Sequence, residues 1–160
     1  MPTKSSIHKV LNIDCTGEKD FFDLWIEYLA PQHQLTKTEQ KFLAACLRNR
    51  YELSKSITDE TLLDETCMNE IYRAKIREEI DFSVQQAQNV ISKLKKLKIF
   101  IPRKYPFTDK IQYYKIAPSL IPNYNENEDF VLVLLFNGKR DIQPSGKGVQ
   151  PTSEDNQGGL

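Results

Sequence analysis

The sequence predicts an α+β fold, mainly helical, with one β-hairpin placed after the helices. Three observations lead there. Two segments open with a Ser/Thr-x-x-Glu/Gln pattern, Thr36–Glu39 and Ser83–Gln86, which is the signature of a helix start. The segment after Ser83 places Val84, Ala87, Val90, Ile91, Leu94 and Leu97 on one side at helical spacing. Directly beyond it, two short β-prone runs, Ile99–Pro102 and Ile111–Ile116, flank a loop that contains Pro106.

The elements follow in order. Ile7–Ile13 is short and partly apolar, and suits an edge strand or an extended arm. From Lys19 to Ala30, residues Phe21, Phe22, Trp25, Ile26 and Leu29 recur at helical spacing, and Pro31 is expected to stop that helix. The aromatic stripe suits packing on the main core; the alternative is a dimerisation helix anchored by Trp and Phe. Residues 1–35 thus form an arm and an extra N-terminal helix.

A second helix starts at Thr36 and carries Phe42, Leu43, Cys46 and Leu47 on one apolar face, with Cys46 a small buried hydrophobe. Between Ser56 and Glu70 stand five acids and no Lys or Arg, which reads as a solvated, helix-starting stretch with no partner nearby rather than as a paired-carboxylate site. A helix through Ile71, Ile76 and Ile80 then runs into Glu79-Ile80-Asp81-Phe82-Ser83, and Ser83 caps the next one. A helix, a tight turn and a capped amphipathic helix make a helix-turn-helix, and a hairpin placed after its second helix makes a wing.

The run KIREEIDFSVQQAQNVISKLKKLKIFI, with this order of elements, resembles winged helix-turn-helix domains. The later YYKIAPSLIP resembles the strand-and-proline ending of such proteins from plasmids and bacteriophages. The resemblance covers residues 36–122. Asp81 and Leu97 depart from it, standing where the family often has glycine. It implies a mainly helical winged helix-turn-helix with a β-hairpin wing. It also implies a DNA-binding regulator or replication-associated factor, or else a bacteriophage ring, connector or other tail or neck component that uses the same fold for subunit packing.

The C-terminal third is different in character. Residues 123–129 are polar and acidic, and Phe130–Phe136 is a continuous apolar run bounded by Asn137-Gly138. Over 123–140 the run reads as a buried strand or one that joins another subunit, with Phe130, Val131, Val133 and Leu135 as the contact residues of a homo-oligomer. Residues 141–160 are rich in Pro, Gly, Ser and Gln and read as a flexible tail.

Charge then points to the functional surface. The whole chain has 22 Lys+Arg against 22 Asp+Glu, a formal net charge of zero. Between Phe82 and Ser119, however, eight cations face one acid, Asp109, so this stretch carries +7 and the rest of the chain −7. In a helix-turn-helix the second helix enters the major groove with its N-terminal residues near base edges. Gln85, Gln86, Gln88, Asn89 and Ser92 are expected there, since Gln and Asn amides match the donor and acceptor edge of adenine. Lys93, Lys96, Arg103 and Lys104 are expected on phosphates, which fix position rather than sequence. The bland alternative is a solvated helix face whose lysines complement the helix dipole.

Other classes are weakly represented. The longest apolar run, Phe130–Phe136, has 7 residues, far short of the roughly 18 needed to span a membrane. The opening MPTKSSIHKV lacks the apolar stretch of a secretory signal, and Cys15, Cys46 and Cys67 suit reduced thiols, so a cytoplasmic or virion location is expected. His8 and His33 are the only histidines, which offers neither a zinc spacing nor a Ser/His/Asp set. None of the six glycines lies between residues 18 and 137, so the body of the chain has no phosphate-cradling loop. No enzyme activity, cofactor or metal is expected, and the expected partners are duplex DNA or phage structural proteins.

Overall fold

A computed structural model describes residues 13–15 and 17–132. It forms two units, one through Asn123 and one from Tyr124, and each is taken by itself. The first unit is α+β and mostly helical, with an element order compatible with a winged-helix layout. Its helices are α1 (Phe21–His33), α2 (Lys37–Ser54), α3 (Glu60–Cys67), α4 (Glu70–Ile80) and α5 (Val84–Lys96). Strands β1 (Phe100–Lys104) and β2 (Ile111–Ile116) and a short 3-10 turn at Pro118–Leu120 complete it.

Helix α2 is the centre. Phe42, Leu43, Ala44, Ala45, Cys46 and Leu47 are all buried, so this helix is covered on every side rather than on the single face the sequence suggests. Helices α1, α3, α4 and α5 all pack on it. Thr36 caps it as expected: its hydroxyl accepts from the Glu39 N–H while the Glu39 carboxylate accepts from the Thr36 N–H.

Helix α1 departs from expectation at both ends. Asp20 caps it in a box with Asp23, each carboxylate accepting from the other residue's N–H. Pro31 does not stop it; the helix continues to His33. Only the hydrogen bond that Pro31 itself cannot donate is lost, because the turn is closed by Gln34 and Leu35, both donating to the Ala30 carbonyl. Phe22, Ile26 and Leu29 are buried, and the Trp25 indole donates to the Leu120 carbonyl at 2.8 Å. The aromatic stripe therefore packs on the core.

The acidic stretch is helix α3, capped by Asp59. Two acids of the stretch have partners after all: Glu70 pairs with Arg73 one turn on at 3.1 Å, and Arg50 of α2 donates to Asp64 from Nη2 at 2.9 Å and from Nε at 3.2 Å. Both side chains are mostly buried, so this pair ties α3 to the central helix.

The turn between α4 and α5 is formed as expected, with Asp81 in the left-handed conformation (φ 58°, ψ 49°) usually reserved for glycine or asparagine. Asp tolerates this region better than a branched residue would. Leu97 is ordinary αR backbone, and the left-handed residue is its neighbour Lys98 (φ 59°). The position expected to need glycine is thus shifted by one.

The hairpin pairs Phe100 with Ile116 and Pro102 with Tyr114, and a bulge interrupts it at Arg103/Lys104. Strand β2 has the expected bounds, whereas β1 begins one residue later and ends two residues later than Ile99–Pro102. Among the described residues β1 has one paired edge, which is where a strand accommodates a proline such as Pro102. Ile99, Phe100 and Ile116 are fully buried and fix the hairpin base to the core.

In the second unit, residues 124–132 form no helix or strand; Asn125 closes a turn by accepting from Asn127 N–H, and Glu128 N–H bonds its carbonyl. Phe130, Val131 and Leu132, the first residues of the expected strand, have no regular structure. Val133 and Leu135, like the arm at 7–12 and the tail at 141–160, lie outside the described residues. No helix of the described residues is long and apolar enough to cross a membrane.

Candidate nucleic-acid interface

Helix α5 carries the candidate residues, and its inner face explains its position. Ala87, Val90, Ile91 and Leu94 are buried against the rest of the unit. Val84 is 53% exposed and Leu97 half-buried, so the apolar side is narrower at both ends than the sequence suggests. The opposite side presents Gln85, Gln86, Gln88, Asn89, Ser92, Lys93 and Lys96, all exposed. Every residue expected at the recognition surface is therefore accessible.

Their chemistry is not uniform. Gln86 serves the cap: its Oε1 accepts from the Ser83 N–H at 2.9 Å, while Ser83 Oγ accepts from the Gln86 N–H. Gln85 and Asn89, one turn apart, form an amide pair in which Gln85 Nε2 donates to Asn89 Oδ1 at 2.9 Å. The pair leaves Gln85 Oε1 as an acceptor and Asn89 Nδ2 as a donor. That combination matches the N6 amine and N7 of adenine in the major groove. Asn89, Ser92, Lys93, Lys96 and Leu97 line an open depression of about 500 Å³ along the helix.

The cations also divide. Lys93 Nζ lies 3.0 Å from Glu39 Oε1 of α2, a buried carboxylate, so Lys93 is held at the helix flank rather than left for a phosphate. Lys95 lies over the Tyr114 ring of β2, 4.0 Å from its centroid. Burial and, secondarily, the charge of Arg73 lower the Lys95 pKa, so this lysine joins helix to hairpin. Lys104 reaches Asp109 at 3.5 Å across the loop, with both side chains exposed. Among the described residues, Lys96, Lys98, Arg103, Lys110 and Lys115 have no anionic partner. The structure brings Asn89, Ser92, Lys93 and Lys96 to one groove; Arg103 and Lys104 lie at the far end of β1, exposed.

Comparison of the chain with models of protein families, with curated proteins and with solved structures finds no match.

Glu39 was not legible as part of this region. Burial pushes its carboxyl up, but the Thr36 N–H and the Lys93 ammonium outweigh that and hold it below the ordinary glutamate value. A depressed folded-state pKa contributes stability above the unfolded value and loses it as pH falls through the folded one. Glu39→Gln is therefore expected to cost about 1 kcal/mol near neutral pH. Denaturant titrations should show that difference narrowing as pH drops below about 4.3. A difference that stays constant down to strong acid would mean that Glu39 is not ionised in the folded chain. Among the described residues, no group of three His, Cys, Asp or Glu side chains is placed to hold a metal ion.

Proposed function

We propose that the chain is a non-enzymatic duplex-DNA-binding protein of regulatory or replication-associated type, with α5 as the helix presented to the major groove. The observation that carries this reading is the outer face of α5. It combines an amide pair, Gln85–Asn89, whose open acceptor and donor suit adenine, with Lys96 on the same stripe. Arg103, Lys98 and Lys110, cations without anionic partners among the described residues, supply phosphate contacts from the segment that follows. The net charge of zero does not oppose this, because the acids that balance the stretch are placed elsewhere in the sequence.

The test is the salt dependence of duplex binding, followed by fluorescence anisotropy with an A·T-rich duplex. Affinity should fall steeply with salt, and Lys96→Ala or Arg103→Ala should each reduce the log–log slope by about 1. Lys93→Ala should reduce it less, since Lys93 is engaged by Glu39. Gln85→Ala and Asn89→Ala should leave the slope unchanged and remove the preference for A·T over G·C. Absence of binding at low salt would overturn the reading.

A further inference from the structure

Phe107 stands at the tip of the hairpin loop and is fully exposed, at 107% of its reference accessibility. Its backbone is left-handed, with φ 63°, a region that disfavours bulky residues. The loop around it is closed rather than loose: Tyr105 N–H bonds the Lys110 carbonyl at 2.9 Å, and Thr108 N–H bonds the Tyr105 carbonyl at 3.3 Å. An aromatic ring is thus held out in water on a constrained turn, where glycine or asparagine would satisfy the backbone and a polar side chain the solvent. Both costs are borne at one residue, which points to use of the ring itself.

The surroundings indicate the class of partner. Tyr105 is exposed beside Phe107, and Arg103, Lys104 and Lys110 are exposed around the base of the loop; Asp109 is the one acid and is engaged by Lys104. Cations around a projecting ring suit a stack of bases bordered by phosphates, because apolar side chains that wedge between base steps are flanked by groups that hold the backbone. The bulge at Arg103/Lys104 interrupts the ladder just before the loop, where such irregularities increase the local twist.

The geometry points to Phe107 as a wedge that enters a base step of the duplex bound by α5 and unstacks it. This rests on the DNA-binding reading above and adds a deformation to it.

The experiment uses the full chain and a short duplex with a fluorescent adenine analogue placed at successive positions, together with end labels for energy transfer. The wild type should raise the analogue's fluorescence at one step and shorten the end-to-end distance. Phe107→Ala should abolish both and weaken binding about 5- to 100-fold, with the salt slope unchanged. Phe107→Trp should retain both signals. Phe107→Asn, which suits the left-handed backbone, should fold normally and behave like the alanine variant. Wild-type binding without unstacking, or signals unchanged in Phe107→Ala, would overturn the wedge and leave the DNA-binding reading intact. Failure of the wild type to bind duplex at all would overturn both. Loss of binding to anionic lipid vesicles in Phe107→Ala, with duplex signals unchanged, would assign the ring to a lipid surface and overturn the wedge.

Discussion

Leu94→Ala is expected to destabilise the fold by about 2–5 kcal/mol, the range for deleting a fully buried leucine side chain. Leu94 has 0% exposure on the inner face of α5, and Val90 and Ile91 on the same face are buried as well. Thermal unfolding should shift down by roughly 10 °C. For a domain whose total stability is about 5–15 kcal/mol, that is a large fraction. Ser92, two residues earlier and exposed, provides the contrast: Ser92→Ala should change stability by no more than about 0.5 kcal/mol. Similar costs for the two variants would mean that the buried and exposed sides of α5 have been assigned wrongly. The surface assigned to DNA would go with them.

Arg48→Met is expected to cost about 1–3 kcal/mol at neutral pH, and the cost is expected to shrink on acidification. The Arg48 guanidinium contacts three carboxylates: Asp20, Asp23 at 3.2 Å and Glu79 at 2.8 Å. It joins the start of α1 and the end of α4 to the central helix. The carboxylates are 41%, 32% and 45% exposed, so water screens much of the attraction and the lower part of the buried-pair range applies. The pH dependence follows from the two aspartates. Burial pushes the Asp20 carboxyl up, but Arg48 and the Asp23 N–H bring it below its ordinary value. Asp23 is raised, by burial first and then by its neighbour Asp20, despite the Asp20 N–H and Arg48.

The depressed Asp20 gives stability that is present above the ordinary aspartate range and lost as pH falls through its folded value. The raised Asp23 works in the opposite sense: its contribution is complete below the ordinary range and lost as pH rises through its folded value. Without Arg48 only the two backbone N–H groups offset the repulsion of the pair, and protonation relieves it. Stability of Arg48→Met should therefore rise as pH is lowered from neutral toward about 4, closing the gap to the wild type. A gap independent of pH would show that Arg48 acts through packing of its stem alone.

What was legible in the sequence was local. Ser83 and Gln86, or Thr36 and Glu39, are three residues apart, and their reciprocal bonds follow from helix geometry alone. The outer face of α5 was legible for the same reason, since one helical period assigns Gln85, Asn89, Ser92 and Lys96 to a single stripe. The Asp20–Asp23 box has equal spacing but was hidden by the acid Glu18 and the cation Lys19 before it, which blur the start of α1. The ion pairs of Lys93 with Glu39 and of Arg48 with Asp20 and Glu79 join residues far apart in the chain, and periodicity carries no information on them. Four lysines between 93 and 98 looked equivalent as charges. The fold gives one to a carboxylate and one to an aromatic ring, because each sits at a different angle around the helix axis. Pro31 misled for a related reason: the rule against proline inside helices weighs one lost bond, and here the rest of the last turn is satisfied.

The Trp25–Leu120 hydrogen bond spans 95 residues, nearly the whole first unit. Its consequence lies in the order of synthesis. Among the described helices α1 is translated first, yet the carbonyl that accepts from its indole is joined to the chain only after the hairpin residues. Chains are extended at about 5–20 residues per second, so the Trp25 indole N–H stays with water for several seconds before that carbonyl exists. Among the described helices, the one translated earliest thus depends on a carbonyl made after all the others. Closing so long a loop is slow relative to local helix formation, which makes the seating of Trp25 a natural late step in the maturation of this protein.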